Sequence, residues 1–166
     1  RRAEPLSKVA ISVSTISDQE MTERGVKEFD DLVRLTPGLN LSRQSFTGAN
    51  QIAIRGISSD AGSGTTGVYI DDTPIQVRNL GFGSGTAFPG LFDVERVEVL
   101  RGPQGTLFGA GSEGGTVRFI QTEPSLTKTS SSTRAEVSSL RDGSPSYEAG
   151  GAFGAPIIAV TIGKVT

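Results

Sequence analysis

The chain contains no cysteine and no histidine. The first absence removes disulfide scaffolds, thiolate metal sites and cysteine nucleophiles together. The second removes imidazole zinc sites and Ser-His-Asp triads. A dominant charge is also missing. With 16 basic and 18 acidic residues the net charge is −2, and no basic field points to a nucleic-acid partner. There is no apolar run of about 18 residues, so no transmembrane helix is expected. Arg1 and Arg2 lead straight into mixed polar sequence, so no signal peptide is expected either. A mature secreted chain would look this way, and so would a cytosolic one. With this residue set, no catalytic residue, metal ligand or cofactor is expected, and an enzyme is disfavoured.

Glycine is abundant instead. It supplies 22 of 166 residues, roughly 13% against a usual value of about 7%. Only 35% of the chain is apolar. A modest core and many tight turns and loops follow, within a length that fits one domain or one domain plus a fragment.

Val9, Ile11 and Val13 alternate with small residues, the period of a half-buried strand. Ser17 and Glu20 fit a capping box opening a short helix that stops at Gly25. Phe29, Leu32 and Val33 mark one face of a second helix, ended by Thr36-Pro37-Gly38, and Leu39 and Leu41 begin another strand. Ile52 and Ile54 share one face of a strand that ends at Gly56. Val68-Tyr69-Ile70 and Ile75-Gln76-Val77 read as strands flanking a turn, Asp71-Asp72-Thr73-Pro74. Leu91 to Val94 suggests one helical turn feeding the strand Arg96 to Leu100, and a further strand is expected from Thr116 to Thr122, closed by Pro124. Beyond Pro124 come a Ser/Thr-rich connection and two alternating segments, Arg134 to Val137 and Tyr147 to Phe153, around the turn Arg141 to Pro145. They fit the first strands of a transmembrane β-barrel or an ordinary surface hairpin; periodicity leaves both open.

Three patterns bear on chemistry. Gly109-Ala110-Gly111-Ser112-Glu113-Gly114 matches the dinucleotide-binding pattern, but β-like sequence follows where a helix should open to receive pyrophosphate. Asp71-Asp72-Thr73 resembles an aspartic-protease motif without its glycine, and reads better as an acidic turn. Arg55 and Arg101 each end an apolar strand before a glycine. Either is a solvated strand end or a fixed guanidinium awaiting carboxylates, and the sequence does not choose.

The segment Glu95-Arg-Val-Glu-Val-Leu-Arg-Gly-Pro-Gln-Gly-Thr-Leu-Phe-Gly109, continued by Gly114-Gly115-Thr-Val-Arg-Phe-Ile120, resembles the signature of TonB-dependent outer-membrane receptor plugs. Leu35-Thr-Pro-Gly38, Ile54-Arg-Gly-Ile57 and Val68-Tyr-Ile-Asp-Asp72 match in the expected order, with Asp72-Thr73 in place of the usual pair. Coverage runs from about Pro5 to Pro124.

The resemblance implies an α+β fold: a small mixed sheet of four to six strands with short helices and long glycine-rich loops, seated in a 22-stranded barrel. It divides the chain into a plug at 1–124 and, at 125–166, a linker and the first strands of a truncated barrel. It implies a gate for TonB-energised import of a scarce nutrient, such as a ferric siderophore, through the outer membrane of a Gram-negative bacterium. The partners it implies are the receptor's own C-terminal β-barrel, TonB, and a small-molecule or metal-chelate substrate. It assigns Arg55 and Arg101 to an ionic cluster with barrel glutamates. It places Arg43, Ser58, Ser59, Asp60, Gln76, Arg78 and Asn79 in ligand-facing apical loops, with mobility expected at 58–66 and 76–90. The TonB-coupling segment is expected just before the region matching Arg1 to Lys8 and missing here, so that the chain reads as a truncated receptor or an excised piece. A freestanding soluble binding or signalling module on the same fold is the alternative.

Overall fold

The computed structural model describes residues 12–43, 50–58, 64–75, 88–109, 111–139 and 143–156. The chain divides after Gln121 into two compact units. The first carries strands β1 (Ser12–Ser17), β2 (Leu39–Arg43), β3 (Asn50–Ile54), β4 (Thr66–Ile70), β5 (Thr73–Pro74), β6 (Val94–Arg101) and β7 (Gly115–Gln121), with helices α1 (Asp18–Glu23), α2 (Phe29–Leu35) and α3 (Gly105–Phe108).

Five strands form a mixed sheet in the order β1-β6-β7-β4-β5, in which β4 and β7 are parallel and the other pairs antiparallel. The expected α+β fold with a small mixed sheet is what the chain adopts. Register puts Ile16, Val97, Val99, Val117, Phe119 and Val68 on one face, all buried. Met21 of α1 and Phe29 and Leu32 of α2 join this core, with Leu39, Ile52 and Ile54 from the separate β2-β3 pair. Phe29 stacks on Phe88 at 3.8 Å between ring centroids and lies 6.0 Å from Phe119, which anchors α2 on the sheet.

Local sequence explains the helix starts. Ser17 Oγ accepts from the Glu20 backbone N–H at 3.3 Å, and α1 stops just before Gly25. At α2 the Asp31 carboxylate reaches back to accept from the backbone N–H groups of Lys27 (3.1 Å) and Glu28 (3.3 Å). These two hydrogen bonds, the larger influences, and nearby Arg34 and Lys27 hold its pKa below the ordinary carboxylate value.

Several expectations need correction. In the first strand Val9 and Ile11 lie outside the described residues, and Val13 does not face the core. The core side of β1 carries Ser12, Ser14 and Ile16, because those positions stand opposite Arg101, Val99 and Val97. The turn after β4 is shorter than expected: Asp71 and Asp72 alone make it, and Thr73–Pro74 is already the return strand. Asp71 supplies the left-handed residue, at φ 51°, a conformation that aspartate tolerates better than most residues. Ile75 follows β5 and its N–H reaches Val68 O at 2.9 Å; Gln76 and Val77 lie outside the described residues. Leu91 to Val94 forms no helical turn. Asp93 takes φ 58° and Val94 opens β6 directly. The glycine-rich run after Pro103 is not all loop: it holds the helix α3.

The second unit is a hairpin of β8 (Ser130–Ser138) and β9 (Ser146–Gly154), paired over all nine residues. One face carries Ala135, Val137, Tyr147, Ala149 and Phe153; Tyr147 and Phe153 are 88% and 76% exposed. The other carries Arg134, Glu136, Ser138, Ser146 and Glu148, with an Arg134–Glu136 ion pair at 3.4 Å.

Candidate functional site

Arg55 and Arg101 are 46 positions apart in sequence and meet at one turn. The backbone N–H of Arg55 donates to Gly38 O at 2.8 Å, while Arg101 Nε donates to the neighbouring Pro37 O at 3.1 Å. Arg55 lies just past β3 with φ 54°, which turns its exposed side chain off the strand line. Arg101 closes β6, half-buried, and its remaining contacts are the hydroxyls of Ser14 (2.6 Å) and Ser12 (3.3 Å). Among the described residues neither guanidinium pairs with a carboxylate. The same end of the unit holds the start of β7. There Gly115 sits at φ 152°, and a Cβ on it would overlap the Leu100 carbonyl oxygen and come within 2.8 Å of Ile54 Cδ1. Only glycine lets β3, β6 and β7 converge so closely. The arrangement is a cationic corner with spare N–H donors, suited chemically to carboxylate acceptors.

A second charged array, not legible in the sequence, lies on the sheet face opposite the core. Glu98 of β6 stands opposite Arg118 of β7, and Arg118 Nη1 reaches Glu98 Oε2 at 2.8 Å. Arg118 Nη2 reaches Asp72 Oδ1 at 3.1 Å, and Glu98 Oε1 also takes Arg96 Nε at 2.9 Å. Arg96 contacts Glu95 too. Its pKa is raised chiefly by the Glu98 hydrogen bond, against the opposing effect of burial. Tyr69 donates its hydroxyl to Phe108 O, and its ring meets the Phe108 ring edge-on at 5.1 Å. Arg118 lies 5.7 Å from the same Phe108 ring, so α3 is fastened to this face by aromatic and cationic contacts. The alternation Arg96-Val97-Glu98-Val99 was the available signal, but only the β6-β7 register supplies Arg118 as the partner.

Asp71 and Asp72 serve this turn. Asp71 Oδ1 accepts from Gln121 N at 3.0 Å, and Asp71 O accepts from Arg118 Nε and Nη2, both at 3.3 Å. The glycine pattern at 109–114 runs into β7, not into a helix. Of the apical positions, Arg43 ends β2 and Ser58 is exposed just beyond Ile57; Ser59, Asp60, Gln76, Arg78 and Asn79 lie outside the described residues. So do most of the stretches 58–66 and 76–90.

A five-stranded mixed sheet with short helices is the fold this chain shares with solved outer-membrane receptors. The TonB-dependent receptor plug domain family matches residues 5–116, and the chain belongs to that family. The chain is 34% identical to the pesticin receptor of Yersinia pestis over 119 residues, 70% of this chain and 17% of that protein. It is also 34% identical to the ferripyoverdine receptor of Pseudomonas aeruginosa over 113 residues, 68% of this chain and 13% of that one. Among solved structures, the ferric yersiniabactin uptake receptor from Yersinia pestis superposes with a TM-score of 0.58 at 31% identity, covering 76% of this chain and 18% of that one. The chain therefore spans under a fifth of the length of these relatives.

Proposed function

We propose that residues 1–124 are the plug that gates a TonB-energised outer-membrane transporter, and that 125–166 are a linker and the first barrel strands. The imported substrate is a scarce nutrient such as a ferric siderophore; the relatives named for ferripyoverdine and ferric yersiniabactin support that class. The observation that carries the reading is the match of residues 5–116 to the receptor-plug family. The protein acts as a gate in the outer membrane of a Gram-negative bacterium, without catalytic chemistry of its own. Ligand meets the apical positions Arg43, Ser58, Ser59, Asp60, Gln76, Arg78 and Asn79, and TonB captures the N-terminal side as an added strand.

Two features support the barrel as partner. The first is the Arg55–Arg101 corner, whose two guanidinium groups suit barrel carboxylates. The second is the hairpin β8-β9, with one exposed apolar face and one polar face, the two-sided pattern of a strand between lipid and lumen. A freestanding soluble module would leave Val137, Tyr147 and Phe153 in water without a use.

The test is iron-limited growth of cells in which the receptor carrying this plug is the sole uptake route for a supplied ferric siderophore. Growth should require TonB. Equal uptake with and without TonB overturns the proposal. Arg55→Ala and Arg101→Ala should each raise passive entry of bulky antibiotics, and unchanged permeability in both counts against the barrel cluster.

A further inference from the structure

We propose that Arg101 is a latch that fastens the entering strand β1 to the body of the plug. Its role in transport rests on the plug reading above, but the latch itself does not.

Among the described residues, strand β1 is an edge strand, paired only with β6. Of its three core-side residues, Ser12, Ser14 and Ile16, only Ile16 is buried. On the core side, hydrophobic adhesion therefore acts at the C-terminal end of β1. At the N-terminal end the core side has two serines, and there the Arg101 fork takes over. Nη2 donates to Ser14 Oγ at 2.6 Å, Nη1 to Ser12 Oγ at 3.3 Å, and Nε to Pro37 O at 3.1 Å. One planar group thus ties three segments together: the start of β1, the end of β6 and the turn after α2. A guanidinium does this because its donors diverge in one rigid plane; an ammonium of the same charge has no such fork.

The position gives the latch a mechanical order. Tension on the chain preceding Ser12 meets the Ser12 and Ser14 contacts before it meets Ile16. These are hydrogen bonds from a charged donor to neutral hydroxyls, weaker than the same donor would make with carboxylates. They add to the β1-β6 backbone ladder at rest and are the first side-chain contacts that such a load meets. Because β1 lies at the edge, its departure removes Ile16 from the core but leaves the β6-β7-β4-β5 ladders paired. The structure so separates a strand that can leave from a sheet that stays.

Hydrogen exchange of the intact receptor carrying this plug tests the latch, using S12A/S14A, Arg101→Lys and the triple variant. The β1 amides should exchange at least roughly tenfold faster in S12A/S14A, since two hydrogen bonds to a charged group are lost and one alone is on that scale. Arg101→Lys should match it, and the triple variant should be no faster than either, while β6 and β7 are unchanged. Unchanged β1 exchange in S12A/S14A, or effects that multiply in the triple variant, overturns the latch. Should Arg101→Lys fail to fold, S12A/S14A decides alone. Pulling on the N-terminal end should show a lower first rupture force in S12A/S14A with unaltered siderophore affinity; an unaltered force refutes the load-bearing role. Loosened β1 in a receptor that takes up no siderophore under TonB would instead sink the plug reading and leave the latch standing.

Discussion

Arg118 and Glu98 face each other across β7 and β6, with Arg118 Nη1 2.8 Å from Glu98 Oε2, and their side chains are only 16% and 17% exposed. They are the centre of the charged array on the face opposite the core, joined on either side by Asp72 and Arg96.

Removing one member should therefore cost more than a surface pair would. Arg118→Ala leaves the Glu98 carboxylate half-desolvated and removes the Arg118 hydrogen bonds to Asp71 and Asp72, and about 2–3 kcal/mol of stability should be lost. Chemical unfolding of Arg118→Ala, Glu98→Ala and the double variant measures it. The double loss should fall short of the summed single losses by at least about 1 kcal/mol; simple additivity would refute the coupling.

Gly115→Ala should be severely destabilising, by more than about 3 kcal/mol, since strain at positive φ adds to a backbone overlap that cannot rotate away. The added methyl meets the Leu100 carbonyl oxygen. Gly90→Ala, with nothing within 4 Å of the new atom, should stay within about 0.5 kcal/mol. Similar unfolding midpoints for the two variants would contradict the close approach of β6 and β7.

Asp31 gives a pH dependence of definite sign. Its pKa is lower in the folded chain than the ordinary value of 3.8, so folding favours the ionised form. The stabilisation is fully present above 3.8 and fades as pH falls below it toward the folded value. Asp31→Asn should be less stable than the native chain by up to about 1 kcal/mol near neutrality, a typical helix-cap loss. The two melting curves should converge in strong acid. A gap that persists or widens below that pH would show that the carboxylate charge is not responsible.

Tyr69→Phe deletes one hydroxyl and keeps the ring against Phe108. About 1 kcal/mol should be lost, with faster exchange confined to Gly105–Phe108. Slower or unchanged exchange in α3 would mean that the hydroxyl does not fasten it.

Local patterns carried much of the fold. The Ser17 cap, the stop at Gly25, the apolar face of α2 and the alternation in β3 and β6 were all legible because each involves residues two to four positions apart. The errors fall where neighbours in space overrode local preference. Leu91 to Val94 has the spacing of a helical turn, yet the ladder with β7 draws Val94 into β6. The Asp71-Asp72 turn closes two residues earlier than expected because Arg118 and Gln121 bind Asp71 from outside it. At the site, Arg55 and Arg101 are legible as strand ends, but nothing in their spacing joins them to the Pro37-Gly38 turn.

The sequence alone determined what chemistry is impossible here, where strands and helices begin, and, through its Arg-Gly and Arg-Gly-Pro segments, which family signature it carries. Tertiary structure decided who meets whom: Arg118 with Glu98 across 20 positions, and Arg101 with Ser14 across 87. Caps and alternation are set by atoms a few bonds apart. Contacts between distant strands depend on sheet order and register, which are chosen by burying Val97, Val99, Val117 and Phe119 together, and the polar partners on either face follow from that choice.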